Sequence, residues 1–316
     1  MKLIDAFAPR NNCIGALRLF CALAVIIGHA SPFGGYGDTR IMILTNQQFS
    51  LARAAVDVFF IMSGFLLAGS WERSSAIEYV RNRFLRIFPA LWVCLVLTGI
   101  IAPLAYGLAP GFRYVVHNSY LLGGITHYIP GMFPDNPYPK SVNGALWTLP
   151  WELYCYISLP FAALVIRFDR RFSLAILAAL WVVFTLKIGS TTTLKGTAAI
   201  TSPFRLFTFF YAGVVFYAYR DKITISGPIA AVMATILLGA TALGTMTFHH
   251  AGGLFYVAAP LTLTYLVLYA AARLPLTRLN VETDISYGLY IYGTFYVQVM
   301  VSLGLSIETV PYWGLV

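Results

Sequence analysis

Nine stretches of this chain are apolar for long enough to cross a lipid bilayer, and that repetition constrains the fold more than any single residue does. They cover residues 14–30, 52–71, 84–106, 150–166, 172–188, 204–219, 228–246, 253–272 and 285–305. A helix of about 17 to 25 predominantly apolar residues is enough to span the hydrocarbon core. Charged residues make up only 10% of the 316, against roughly 25% in a soluble domain, so a water-soluble globular fold is excluded. The expected fold is all-α: a polytopic transmembrane helical bundle with about nine helices present. A tenth is apparently missing at the C-terminus, because 311–316 reads as the opening of another apolar segment and a nine-helix chain that starts inside must end outside. Residues 1–316 read as a single integral membrane domain, C-terminally incomplete, with no inverted repeat of the transporter kind.

The net charge of +9 does not point to nucleic acid, because the bases punctuate the apolar runs instead of gathering in a stripe or tail. Cys13, Cys21, Cys94 and Cys155 lack C-x-x-C spacing, so neither a disulfide framework nor a metal site is expected. Arg18 within the first stretch, and the lack of an A-x-A-like site, argue against a cleaved signal peptide. With the N-terminus inside, thirteen bases fall on inner segments, among them Lys2, Arg10, Arg73, Arg81, Arg83, Arg86, Arg167, Arg170 and Arg171. Seven fall outside: Arg40, Arg53, Arg113, Lys140, Lys187, Lys195 and Arg205. The positive-inside rule then sets the N-terminus in the cytoplasm. The longest polar connection, 107–149, falls outside and is rich in Pro, Gly, Asn and Tyr. A connection of this length is usually functional; it suits either a sugar-contacting surface or a re-entrant segment that seals the bundle.

An ionisable group inside a membrane helix costs about 2.5 to 3.5 kcal/mol on insertion scales, so each marks a functional hypothesis. Arg18 and His29 are eleven residues apart, which on a helix puts them on one face and about 16 Å apart along the axis. His29, Asp57 and Glu152 are expected in the outer half, and Arg18, Arg83 and Arg86 toward the inner face. Plainer readings exist. Glu152 suits a helix N-terminus, Asp57 can pair with Arg53 at i, i+4, His29 can be an interfacial histidine, and Arg83 with Arg86 can be ordinary inner-side bases. Arg18 can bond a carbonyl, and Ser63-Gly64 can be a small-residue helix contact. Taken together, the groups make chemical sense. Paired arginines suit the phosphates of coenzyme A, and acyl transfer to a hydroxyl needs a base of near-neutral pKa, most often histidine. A carboxylate, Glu152 or Asp57, would hold that imidazole in the right tautomer.

Five segments carry a resemblance: L-R-L-F-C-A-L-A-V-I-I-G-H over 17–29, D-V-F-F-I-M-S-G-F-L over 57–66, R-N-R-F-L-R-I-F-P-A over 81–90, N-G-A-L-W-T-L-P-W-E-L-Y-C-Y over 143–156 and D-I-S-Y-G-L-Y-I-Y over 284–292. In order and spacing they resemble the acyltransferase-3 family of membrane acyltransferases, many of which O-acetylate bacterial surface polysaccharides. The resemblance implies an inner-membrane fold of ten or so helices, acetyl-CoA as the usual donor, and a glycan acceptor on the extracytoplasmic side. It puts the family's first-helix arginine and histidine on Arg18 and His29, its R-x-x-R pair on Arg83 and Arg86, and its tryptophan-to-glutamate motif on Trp147 and Glu152. Trp147 and Tyr290 are the residues expected to touch the acceptor. Gly293 follows Tyr292 where many members carry a histidine. A transporter of glycan or lipid-linked intermediates is the competing reading, and would need no coenzyme A; a non-enzymatic scaffold would leave Arg18 and His29 on one face unexplained.

Overall fold

The computed structural model describes residues 1–7, 12–101, 108–139, 141–166, 169–190, 203–247, 253–279 and 284–315. Arg10, Lys140, Arg167, Lys195, Val316 and residues 102–106 of the third apolar stretch lie outside the described residues, as does the side chain of Lys187.

Among the described residues, the regular structure is helical apart from one isolated bridge between Lys2 and Thr224. A helix lies on each of the nine apolar stretches: α1 Ile14–Phe33, α2 Leu51–Arg73, α3 Ala76–Ile101, α5 Leu149–Ile166, α6 Arg170–Ser190, α7 Pro203–Ala218, α8 Gly227–Thr247, α9 Gly253–Arg273 and α10 Ser286–Ser302. A further helix, α4 Leu108–Asn118, forms within the long connection. Five of these, α1, α2, α3, α8 and α9, are long and apolar enough to cross a membrane. The protein is therefore a multi-pass membrane protein. Contacts divide it into two compact units, the first made of Met1–Cys21, Arg40–Ser74 and Ile157–Asp284, the second of Ala22–Thr39, Ser75–Tyr156 and Ile285–Val316.

The first unit is organised around the pair α2 and α7, which touch backbone to backbone. A methyl group placed at Gly64 would overlap the Phe210 carbonyl, and one at Gly213 would overlap the Ile61 carbonyl. Ser63-Gly64 is thus a small-residue helix contact, the arrangement that lets helices associate where lipid is as apolar as their side chains. Buried Ile61, Phe209, Phe210 and Tyr256 fill the space beside the crossing. The N-terminal segment is pinned to the turn after α7, with the Leu3 amide donating to the Ile223 carbonyl and the Ile225 amide to that of Met1, each at 2.9 Å.

The second unit is organised by polar groups on an apolar helix. Gln298 of α10 is fully buried and its amide nitrogen donates to the carbonyls of Tyr138, at 2.8 Å, and Ser141. Its oxygen accepts from Asn136 at 2.8 Å. One turn earlier, Thr294 donates to Asn143 at 2.7 Å, and Asn143 in turn donates to the Ile291 carbonyl at 2.7 Å. These bonds draw the second half of the long connection into the unit, where Val142, Asn143, Ala145 and Leu146 are buried. Buried irregular backbone needs protein partners for its polar groups, and α10 supplies them here. After α10 the chain turns back, and Tyr312 donates to the Ile27 carbonyl while Leu315 packs with Ala30, Phe33, Val297 and Val301.

The α2–α7 contact leaves no room for a side chain. Gly64→Val should cost roughly 3 kcal/mol, the upper end for overpacking, read as a lowered thermal unfolding midpoint of the detergent-purified protein. Gly239→Val, at a glycine with nothing within 4 Å of a built methyl group, should leave the midpoint in place.

Candidate active site

His29 lies in the last turns of α1, half-buried, with its Nδ1 2.8 Å from the carbonyl oxygen of Val25. A carbonyl can only accept, so Nδ1 carries the hydrogen and the neutral ring keeps its lone pair on Nε2. Phe33 meets the imidazole edge to face, with ring centroids 6.0 Å apart. The tautomer is therefore held by α1 itself, four residues back. The carboxylate orienter expected of Glu152 or Asp57 is displaced from that task, because the nitrogen it would bind is taken by Val25.

Arg83 and Arg86 stand three apart on α3, both half-buried. The Arg83 guanidinium sits 5.9 Å from the ring centroids of both Tyr79 and Tyr156, within cation–π range. The Tyr79 hydroxyl donates to the Tyr156 carbonyl at 3.1 Å, which locks α3 to α5. The Tyr156 hydroxyl donates to Glu152, one turn earlier on α5. Glu152, Arg86 and Arg83 all act electrostatically on Tyr156, and Glu152 and Arg86 act on Tyr287 of α10 as well. Glu152 thus shares a neighbour, Tyr156, with the arginine pair. α5 starts from a turn buried inside the second unit, so its first acidic residue finds its hydrogen bond within the protein. The Arg83 Nε has no hydrogen-bond partner among the described residues.

Arg18 makes an ion pair with Asp284 at 2.8 Å, its side chain 13% exposed against 39% for the aspartate. Its counter-ion is therefore the first residue of the 284–292 segment, where a backbone carbonyl had been the structural alternative. Asp57 is fully buried and pairs with Arg205 of α7 at 3.2 Å. Arg205 also donates to the Tyr256 hydroxyl at 3.3 Å, with its guanidinium over that ring. Arg53, the local partner that spacing suggested, donates instead to the Gln47 carbonyl at 2.8 Å. Arg205, counted among the outer loop bases, is a buried member of α7.

Trp147 is half-buried in the 3-10 turn Gly144–Thr148. Tyr290 shares a 2.6 Å hydrogen bond with the Thr148 hydroxyl. The two residues expected at the acceptor are thus neighbours through Thr148. The glycine at 293 has a packing cause, since any Cβ there would collide with Ile26. Sequence reasoning passed over His127, whose Nδ1 faces the Asn143 carbonyl at 3.2 Å and whose pKa burial draws below the ordinary histidine value. It also passed over Thr294 and Gln298. Their signal was two polar residues four apart on one face of an apolar helix.

Among the described residues the fold is a multi-pass arrangement of membrane helices that carries a histidine with a fixed tautomer and a half-buried arginine pair. The acyltransferase-3 profile, an acyltransferase domain, matches residues 11–315, and the chain belongs to that family. It is an acyltransferase. Over 93% of its length it is 29% identical to nodulation protein 10 of Rhizobium leguminosarum bv. viciae, covering 85% of that relative. It is 28% identical to an O-acetyl transferase of Shigella phage Sf6 over 53% of this chain and 50% of the relative. The exopolysaccharide production protein ExoZ of Rhizobium meliloti (strain 1021) is 32% identical over 35% of this chain and 34% of its own. No solved structure matches the chain.

The Asp57–Arg205 pair separates a structural role from a chemical one. Breaking a buried pair costs about 3–5 kcal/mol because one charge is left uncompensated, whereas replacing both with apolar residues is often neutral. Asp57→Leu and Arg205→Leu should each lower the thermal midpoint steeply, and the double variant should recover most of it. Transfer activity that returns with stability would make Asp57 a structural carboxylate.

Proposed function

We propose that the enzyme moves an acyl group, acetyl in the first instance, from cytoplasmic acyl-CoA to a hydroxyl of an extracytoplasmic glycan such as a surface polysaccharide. In this reading the chain is one catalytic domain with nine crossing helices, seated in a bacterial inner membrane with its N-terminus in the cytoplasm. The excess of bases on the short inner segments supports that orientation. The names of the phage O-acetyl transferase and the exopolysaccharide production protein support the acyl group and the acceptor class.

The observation that carries the reading is the Nδ1 bond of His29 to Val25, which leaves Nε2 as a base. Nε2 takes the proton of the acceptor hydroxyl as its oxygen attacks the thioester carbonyl. The new C–O bond forms, the C–S bond breaks, and the proton passes from the imidazolium to the departing thiolate, giving ester and coenzyme A thiol. Arg83 and Arg86 hold donor phosphates, a task that suits the planar guanidinium. The unpartnered Arg83 Nε and its seat between two tyrosine rings support that assignment. Arg18 is a further cation for the donor, released from Asp284 when phosphate competes for it. Glu152 sets the charge around the pair through Tyr156, Asp57 holds Arg205, and Trp147 with Tyr290 contacts the acceptor.

Labelled acetyl-CoA, the cognate glycan and purified protein in vesicles test this directly. His29→Ala should slow transfer by about 10²–10⁴-fold, the usual worth of a general base, without changing donor affinity. Full activity in that variant would sink the mechanism. Arg83→Gln and Arg86→Gln should each raise the KM for acetyl-CoA by about tenfold, in line with the loss of one charge-assisted hydrogen bond.

A further inference from the structure

We propose that His127 is a second acceptor-binding histidine: its Nε2 takes a hydrogen bond from a sugar hydroxyl beside the one that is acylated. It thereby sets which position is modified, a role that rests on the glycan acceptor of the reading above. His127 lies in the irregular stretch between α4 and the turn Gly144–Thr148. Its Nδ1 is 3.2 Å from the Asn143 carbonyl oxygen. That oxygen only accepts, so Nδ1 carries the hydrogen and Nε2 keeps its lone pair. His29 reaches the same form through the carbonyl of Val25. The second unit thus offers two imidazoles whose tautomer is fixed by a backbone carbonyl and whose Nε2 is the accepting atom.

An irregular stretch has no helix to aim a side chain, yet here consecutive residues are each held twice. The His127 carbonyl accepts from the Val142 amide at 2.7 Å, so its backbone and its ring are both tied to residues 142–143. Thr126, just before it, donates its amide to the buried Asn118 side chain at 2.9 Å and accepts from it at 3.0 Å. Asn143 is in turn anchored to α10 through the Ile291 carbonyl and Thr294. A group fixed in this way gives up little further entropy when a ligand meets it. Nε2 takes no hydrogen-bond partner among the described residues and, unlike the Arg83 Nε, is not sealed from the surface.

Contacts through Phe33 connect this imidazole to His29. Phe33 meets the His29 ring edge to face, with centroids 6.0 Å apart. The same ring lies against Gly144, where a built methyl group would be 3.2 Å from its Cζ. Gly144 shares its peptide group with the Asn143 carbonyl that holds His127. One phenyl ring and one peptide group therefore link the two histidines. The charge state selects the ligand group. Burial draws the His127 pKa below the ordinary histidine value, so the ring is uncharged at neutral pH. Its one hydrogen is already given to Asn143, and Nε2 can only accept. The matching group is a donor, as a sugar hydroxyl is, and not a carboxylate or phosphate.

Diethyl pyrocarbonate, which modifies unprotonated imidazole nitrogens, tests the contact on the full-length protein in nanodiscs, with peptide mass spectrometry separating His127 from His29. His127 should be labelled at neutral pH, and polysaccharide prepared from the surface of the producing cells should slow that labelling several fold. Transfer from labelled acetyl-CoA to the same polysaccharide gives the second readout. His127→Asn keeps a donor for the Asn143 carbonyl and deletes the accepting nitrogen. It should raise the KM for polysaccharide about tenfold, the upper worth of one neutral hydrogen bond. The KM for acetyl-CoA should stay in place, and NMR of the product should show acetyl groups spread over more than one position. His127→Gln returns an accepting group to the Nε2 position and should recover most of the loss. Absence of labelling at His127, or labelling that polysaccharide leaves unchanged, would overturn the inference in the unaltered protein. So would a His127→Asn enzyme with unaltered acceptor KM and a single product position. Protection of His127 with no acyl transfer would uphold the contact and refute the proposed function. Transfer with His127 unprotected would uphold the function and refute the contact.

Discussion

The second unit depends on one buried amide. Gln298 sits on a helix that would otherwise be apolar, and in a lipid environment an unsatisfied amide is costly. It is satisfied by the backbone of the connection it receives: the carbonyls of Tyr138 and Ser141, with Asn136 on its oxygen. The same bonds satisfy that irregular backbone. Each supplies the buried polar groups of the other with partners, so this part of the connection and α10 are specified together. Thr294 and Asn143 repeat the arrangement one turn away. From there the chain has only the turn Gly144–Thr148 before α5 begins, and that fixes where Glu152 and Tyr156 fall within the second unit.

The polar groups of the molecule divide by what satisfies them. Asp57 and Arg205 are fully buried and neutralise each other, which suits a strut between α2 and α7. Arg83 lies near two aromatic faces that attract its charge, and its Nε has no hydrogen-bond partner among the described residues. His29 is satisfied on one nitrogen only. Groups of the first kind give stability; groups of the second and third keep capacity in reserve, and chemistry needs that capacity.

Much of this was legible in residue order. Among the described residues a helix lies on each apolar stretch, because a long hydrophobic run satisfies its own backbone polar groups in that form. The five motif segments led to the family that the profile match establishes. The spacing of Arg83 and Arg86 put them on one helix side. Partners far apart in sequence were not legible: Arg205 lies 148 residues from Asp57, and no local pattern distinguishes it from an interfacial base. Nor was the Val25 carbonyl, since a backbone atom leaves no mark in the identity of the residue that bears it.

Residue identity by itself thus determined that this chain lives in a membrane, where its helices fall, and which ionisable groups are too costly to be there without cause. Tertiary structure decided which partner each of those groups meets. Asp57 was given to Arg205, Arg18 to Asp284 and Glu152 to the neighbourhood of the arginine pair. The physical reason is range. Hydrophobic length acts along the chain and can be read from it, whereas ion pairs and hydrogen bonds act over a few ångströms and join residues only after the helices have packed.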